Sequence, residues 1–215
     1  MILSLNEVES LVLKAARGAG LAWGLAEEAA AAAVWLARVD LLLLAPFVAR
    51  LRAVGSTSQP VVEGQILRPS TVGTTLCPIL TGAFIADLGS GSRIIEVRDV
   101  LAPLWLAAVV VRSLSPESQL IAEWHDARLV LGSGGPHGPI NSGLPGMSAE
   151  ASGTVSLVIG PRAEGHHTPS PRPTSGIMVR DACLQALQFF ERRTFVPASE
   201  RSRLAGAGAG LLDGD

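Results

Sequence analysis

The side chains best suited to nucleophilic, acid–base or metal chemistry near neutral pH are few in this chain: two cysteines and four histidines in 215 residues. His125 is followed by Asp126, and a carboxylate beside an imidazole can orient it for proton transfer. The same pair also reads as two turn formers side by side. Cys77 precedes Pro78 in an apolar, Thr-rich stretch. A cysteine becomes a good nucleophile next to a base or at a helix N-terminus. The local sequence supplies neither, so His125 would have to reach Cys77 through the fold. Cys183 falls on the apolar face of a predicted helix and reads as core. His137, His166 and His167 sit among glycines and prolines with no ligand at helical i, i+4 spacing, so no metal site is expected.

Asp87-Leu-Gly-Ser-Gly91 resembles the glycine loop of S-adenosylmethionine-dependent methyltransferases, where glycines let the backbone approach the cofactor. Such a loop needs a strand before it and a helix after it. The segment after Ser92, Arg93-Ile-Ile-Glu-Val-Arg-Asp99, is strand-like, so a Gly-Ser hairpin turn between Ala83–Leu88 and Arg93–Val97 is the preferred reading. Methyltransferase-like function stays as a third reading. Candidate ligand-binding residues are Trp23 and Glu27 near the start of a helix, with Arg203 and Gly208 near the C-terminus. The alternation Gly206-Ala-Gly-Ala-Gly210 would let backbone lie against a ligand or partner, or is a frayed end.

These residues must be positioned by elements whose order is α+β. Residues 1–54 read as a helical block. Ser4-Leu-Asn-Glu7 forms a capping box, and Leu5, Val8, Leu11, Val12 and Ala15 recur at the helical period up to Gly18 or Gly20. A second helix is predicted over 25–39, with Glu27 and Glu28 in its first turn and five alanines, Ala29 to Ala33, for close packing. A third is predicted over 40–54 with Asp40 as N-cap. Residues 56–70 read as linker. Strands are predicted over 94–97, 104–111, 120–124, 128–131 and 154–159, although 101–114 reads equally as a buried helix. A helix over 181–193 with Asp181 as N-cap comes after two loops, 132–152 and 161–175. The resulting division is one α+β domain over 1–204 (helical block 1–54, sheet region 71–160, C-terminal helix 176–193), followed by a Gly/Ala tail at 205–215.

Bulk properties exclude several classes. Nearly half the residues are hydrophobic, so disorder is excluded for most of the length, and a net charge of -2 gives no reason to expect nucleic acid as partner. The apolar stretch 29–51 is broken by Arg38, Asp40, Pro46 and Arg50, which argues against a membrane span. The start of the chain lacks the basic, then apolar, pattern of a signal peptide, and two distant cysteines suit a reducing cytoplasm.

Three stretches carry a resemblance: Ser4–Glu9 running on to Lys14–Gly20, Trp23–Glu28, and Arg193–Glu200 through Ser202-Arg203 to the Gly/Ala tail. They resemble an uncharacterised, mainly proteobacterial family, a domain of unknown function. The resemblance implies a bacterial cytoplasmic protein and no particular reaction or cofactor. The leading expectation is a small-molecule enzyme or ligand-binding protein of metabolism. Its site would lie where the Gly/Ala tail, the Trp23–Glu28 segment and the Cys77 loop meet. The competing expectation is a noncatalytic subunit or homo-oligomer whose Ala-rich helices pack on a partner.

Overall fold

The computed structural model describes residues 1–53, 55–89, 93–125, 127–136, 152–162 and 176–195. Strand β1 (Ile2–Leu3) leads into helix α1 (Leu5–Gly18). The capping box forms as the sequence predicts. The Glu7 amide donates to the Ser4 hydroxyl at 3.3 Å, and the Glu7 carboxylate accepts from the Ser4 amide at 2.7 Å. The Ser4 amide first, and then the Ser4 hydroxyl, which donates to the same carboxylate at 2.8 Å, hold the Glu7 carboxyl below its ordinary pKa. Gly20 ends the helix with φ +93°, where a side chain would be strained, and Leu21 closes the turn by donating to Ala16.

Helix α2 spans Trp23–Arg38, two residues longer at its start than expected, so Glu27 and Glu28 lie beyond the first turn. Its end corrects the third helix. Asp40 has φ 59° and Leu41 donates back to the Leu36 carbonyl at 2.8 Å, so Asp40 closes α2 and does not cap α3. Helix α3 is correspondingly shorter, Leu44–Arg52. The alanines of α2 other than Ala31 are buried within the chain, where α2 meets α1, α4 and α5. Small side chains there let neighbouring helices approach, which is the role their size suits.

Residues 56–70 are not a linker. They form β2 (Thr57–Ser58) and the hairpin β3 (Pro60–Glu63) and β4 (Ile66–Pro69), which turns at Gly64 with φ +63°. Strand β5 (Thr75–Leu76) is followed by helix α4, Pro78–Asp87. The expected strand over 83–88 is therefore helix, and the glycine loop runs from helix to strand, the reverse of the order a methyltransferase loop needs. Its residues 90–92 lie outside the described residues. Strand β6 (Arg93–Val100) precedes helix α5 (Pro103–Arg112), which settles the ambiguous apolar run as helix. Residues 104–111 are buried on every side, the pattern of a helix enclosed by the fold.

Strands β7 (Ser118–Trp124) and β8 (Ala127–Gly132) form the predicted hairpin, followed by β9 (Gly135–Pro136) and β10 (Gly153–Pro161). Strand β11 (Ile177–Met178) pairs with β1, and α6 (Asp181–Glu191) comes next. Arg180, not Asp181, takes the N-cap position of α6. The main sheet runs β2-β5-β6-β10-β7-β8-β9, antiparallel from β6 to β9 and parallel where β4 and β5 meet β6. Its inner face, including Val97, Leu157, Ala122 and Leu129, is buried, while Glu96, Ser156, Glu123 and Arg128 line up on the other. Helix α5 lies on β7 and β8 and carries α2 and α4 on its far side, while α6 packs on α1 and α3. The fold is α+β, with the N-terminal block joined to the sheet largely through α5. No helix among the described residues is long and apolar enough to cross a membrane.

Candidate functional site

A cavity of about 450 Å³ lies between the α1–α2 turn, α3, the Thr57–Gln59 segment and the start of α4. Each wall follows from local sequence. Gly20 turns the chain sharply enough for Leu21, Ala22 and Leu25 to form one side. Ser58 and Ser70 stand on the opposite rim, where the Ser58 and Thr74 hydroxyls meet at 2.7 Å and the Ser70 amide donates to the Gln59 carbonyl at 2.9 Å.

At the base of the cavity are Arg50 and Cys77. Arg50 sits on the buried side of α3 with Phe47 and Leu51 and is only 6% exposed. Its Nε donates to the Cys77 sulfur at 2.9 Å. Its Nη1 is buried with no hydrogen-bond partner, and no carboxylate pairs with Arg50 among the described residues. Buried guanidinium groups are ordinarily paired, because an uncompensated buried charge costs several kcal/mol. A cation held this way beside an open cavity is suited to an anionic ligand, and a carboxylate matches the guanidinium fork best.

Cys77 is the N-cap residue of α4, with Pro78 at the first helical position. The helix N-terminus absent from the local sequence reading is therefore present. The sulfur makes no cap bond and is directed to Arg50 instead. One turn on, the Thr81 hydroxyl is also buried without a partner.

Of the remaining sequence candidates, those among the described residues, Trp23, Glu27 and His125, do not border this cavity. Trp23 and Glu27 hydrogen-bond each other at 2.7 Å on the exposed side of α2. Trp23 lines a separate hollow with Lys14, Arg17 and Arg193, where the Arg17 guanidinium stacks 5.4 Å from its ring centre. His125 has φ 47° and lies over Gly153, away from the cavity walls. Asp126, Arg203, Gly208, His137, His166, His167 and the tail at 205–215 lie outside the described residues. Among those described, no group of three or more His, Cys, Asp or Glu could hold a metal ion. Cys183 is buried on α6, as expected of core. Arg50 escaped sequence reasoning because it registered only as a break in an apolar stretch. The signal was its position three residues after Phe47, a charge on the apolar face of a short helix.

Among solved structures, the sulfolactate dehydrogenase of Methanocaldococcus jannaschii is similar over 88% of this chain and 96% of its own, with 10% identity and a TM-score of 0.50. The malate dehydrogenase of Entamoeba histolytica is similar over 64% of this chain and 48% of its own, with 10% identity and a TM-score of 0.41. That of Pyrococcus horikoshii is similar over 60% and 41%, with 14% identity and a TM-score of 0.39. This chain thus spans less than half the length of either malate dehydrogenase, and the likeness concerns fold alone. No curated protein sequence matches it. The helical block that carries Arg50 and the α1–α2 turn is matched, over residues 3–60, by a family of unknown function, described as Protein of unknown function (DUF3726).

Proposed function

We propose that the chain is a small-molecule protein of metabolism, an enzyme or ligand-binding protein, whose Arg50 cavity takes a small carboxylic acid. The observation that carries this reading is the buried Arg50 guanidinium with its unpartnered Nη1. A structural arginine is better explained by a carboxylate partner, and Arg50 has none among the described residues. The name of the protein of similar fold, sulfolactate dehydrogenase, also specifies a small anion. Cys77 borders the same cavity and belongs to the proposed site. A cytoplasmic setting suits two free, buried cysteines. Of the five alanines that prompted the subunit reading, all but Ala31 are buried within the chain.

Thermal unfolding with a panel of small carboxylic acids and their uncharged amides tests the proposal. An acid present at about 100 times its dissociation constant should add about 2.7 kcal/mol of stability, and its amide almost none. Arg50→Met should raise stability without ligand by about 1–3 kcal/mol, since it removes an uncompensated buried charge, and should abolish the response to acids. A variant that still responds, or amides as effective as acids, would sink the reading.

A further inference from the structure

We propose that Cys77 is the reacting group of this cavity: its sulfur adds to the carbonyl carbon of a bound 2-oxo acid to form a reversible hemithioketal. The inference rests on the carboxylate site proposed above and assigns it a chemistry. Cys77 is 3% exposed, yet its residue borders the cavity, so a ligand there reaches it without bulk water. The sulfur lies 2.9 Å from Arg50 Nε. A carboxylate drawn to that guanidinium brings its neighbouring carbon, one bond away, to the side of the cavity where the sulfur stands. An electrophilic carbon at that position that needs no oxidant and expels no leaving group is the carbonyl of a 2-oxo acid. Among the described residues the sulfur's one assigned contact is the bond it accepts from Arg50: it makes no cap bond to α4, and Cys183 lies on a different helix.

In the addition, the sulfur forms a bond to C2, the C2–O π bond opens, and the thiol proton passes to the former carbonyl oxygen. No atom leaves and nothing is oxidised, so reversal regenerates thiol and 2-oxo acid. The start of α4 suits the product oxygen. Pro78 has no N–H, and the first i→i−4 bond of the helix runs from Thr81 to Cys77, so the amides of Ile79 and Leu80 precede the helical ladder. Leu80 itself borders the cavity.

Iodoacetate provides the kinetic probe, because its electrophilic carbon stands next to a carboxylate just as C2 of a 2-oxo acid does. Peptide mass spectrometry of the full chain should show Cys77 alkylated by iodoacetate roughly tenfold or more faster than by iodoacetamide. That is the reverse of ordinary thiol selectivity and corresponds to one charge-assisted hydrogen bond. Arg50→Met should lose the preference, and pyruvate should protect Cys77 while leaving Cys183 unaffected. With pyruvate labelled with carbon-13 at C2, the wild type should show a protein-bound tetrahedral carbon resonance, distinct from that of free hydrated pyruvate, that Cys77→Ser lacks. Faster reaction with iodoacetamide, or the same protein-bound tetrahedral signal persisting in Cys77→Ser, overturns the proposal. If pyruvate stabilises both proteins and no adduct forms in the wild type, the nucleophile fails and the carboxylate site stands. If pyruvate and every other carboxylic acid neither stabilise nor protect, both fail.

Discussion

Two residues show how differently single side chains declare themselves. Glu7 is legible from sequence, because Ser-x-x-Glu before an apolar repeat has one common structural meaning and the structure contains it. Its consequence is a pH dependence whose sign is fixed. Glu7 is held below its ordinary pKa by the Ser4 amide and hydroxyl, so its stabilising contribution is present above the unfolded-state pKa. It is lost as pH falls through the lower, folded-state value. Glu7→Gln keeps an acceptor but cannot titrate. Urea midpoints should therefore show the wild type more stable at neutral pH and the gap closing as pH falls through the acid range in which Glu7 becomes protonated. An unchanged gap would mean that the carboxylate contributes nothing beyond its hydrogen-bonding shape. Arg50 is the opposite case. No local pattern marks a lone arginine in an apolar run as functional, and its meaning depends on Cys77, a residue 27 positions away in sequence.

At the scale of elements, the strand reading of 83–88 and the ambiguity of 101–114 share a cause. Helix α5 is enclosed by the fold, and α4, though partly exposed, is apolar nearly all round, so neither shows the amphipathic period that identifies a surface helix. The β-branched Ile79, Ile85, Val109, Val110 and Val111 then favour a strand reading. Each helix nevertheless opens with a proline at its first position, Pro78 and Pro103, and that signal was available. The contact between the two helices depends on Gly82. A Cβ built there would lie 2.7 Å from both Cβ and Cγ1 of Val109, atoms too close to the backbone to swing away. Gly82→Ala should therefore destabilise by about 1–2 kcal/mol, because the overpacking outweighs the gain in helix propensity. A chemical denaturation curve checks this directly. A stabilised variant would show that α4 and α5 can separate by several tenths of an ångström without cost. Because Cys77 caps α4, the same variant should also weaken iodoacetate selectivity at Cys77.

Across the whole molecule, the order of helices and strands made α+β legible, but the way the layers are joined was not. The N-terminal block reads as a unit because its contacts are local, whereas its attachment to the sheet uses residues far apart in sequence. Trp35 of α2 donates its indole N–H to the Ser133 carbonyl beyond β8 at 2.9 Å. Trp105 of α5 donates to the Leu43 carbonyl at 2.9 Å and stacks on Phe47 of α3 with ring centres 4.2 Å apart. One continuous core includes residues of α1, α2, α5, β7, β8 and α6. An interface of this kind, apolar and crossed by buried hydrogen bonds, predicts that helical block and sheet unfold together. Tryptophan fluorescence and far-ultraviolet circular dichroism should then give superimposable urea transitions. Trp35→Phe retains most of the apolar contact and leaves the Ser133 carbonyl without its donor, so it should cost about 1–2 kcal/mol. In a single cooperative unit, both probes would shift by the same amount. If only the fluorescence transition moved, or if the two curves separated, the helical block would be a domain of its own, and the Arg50–Cys77 cavity would lie across a boundary between independently folding parts.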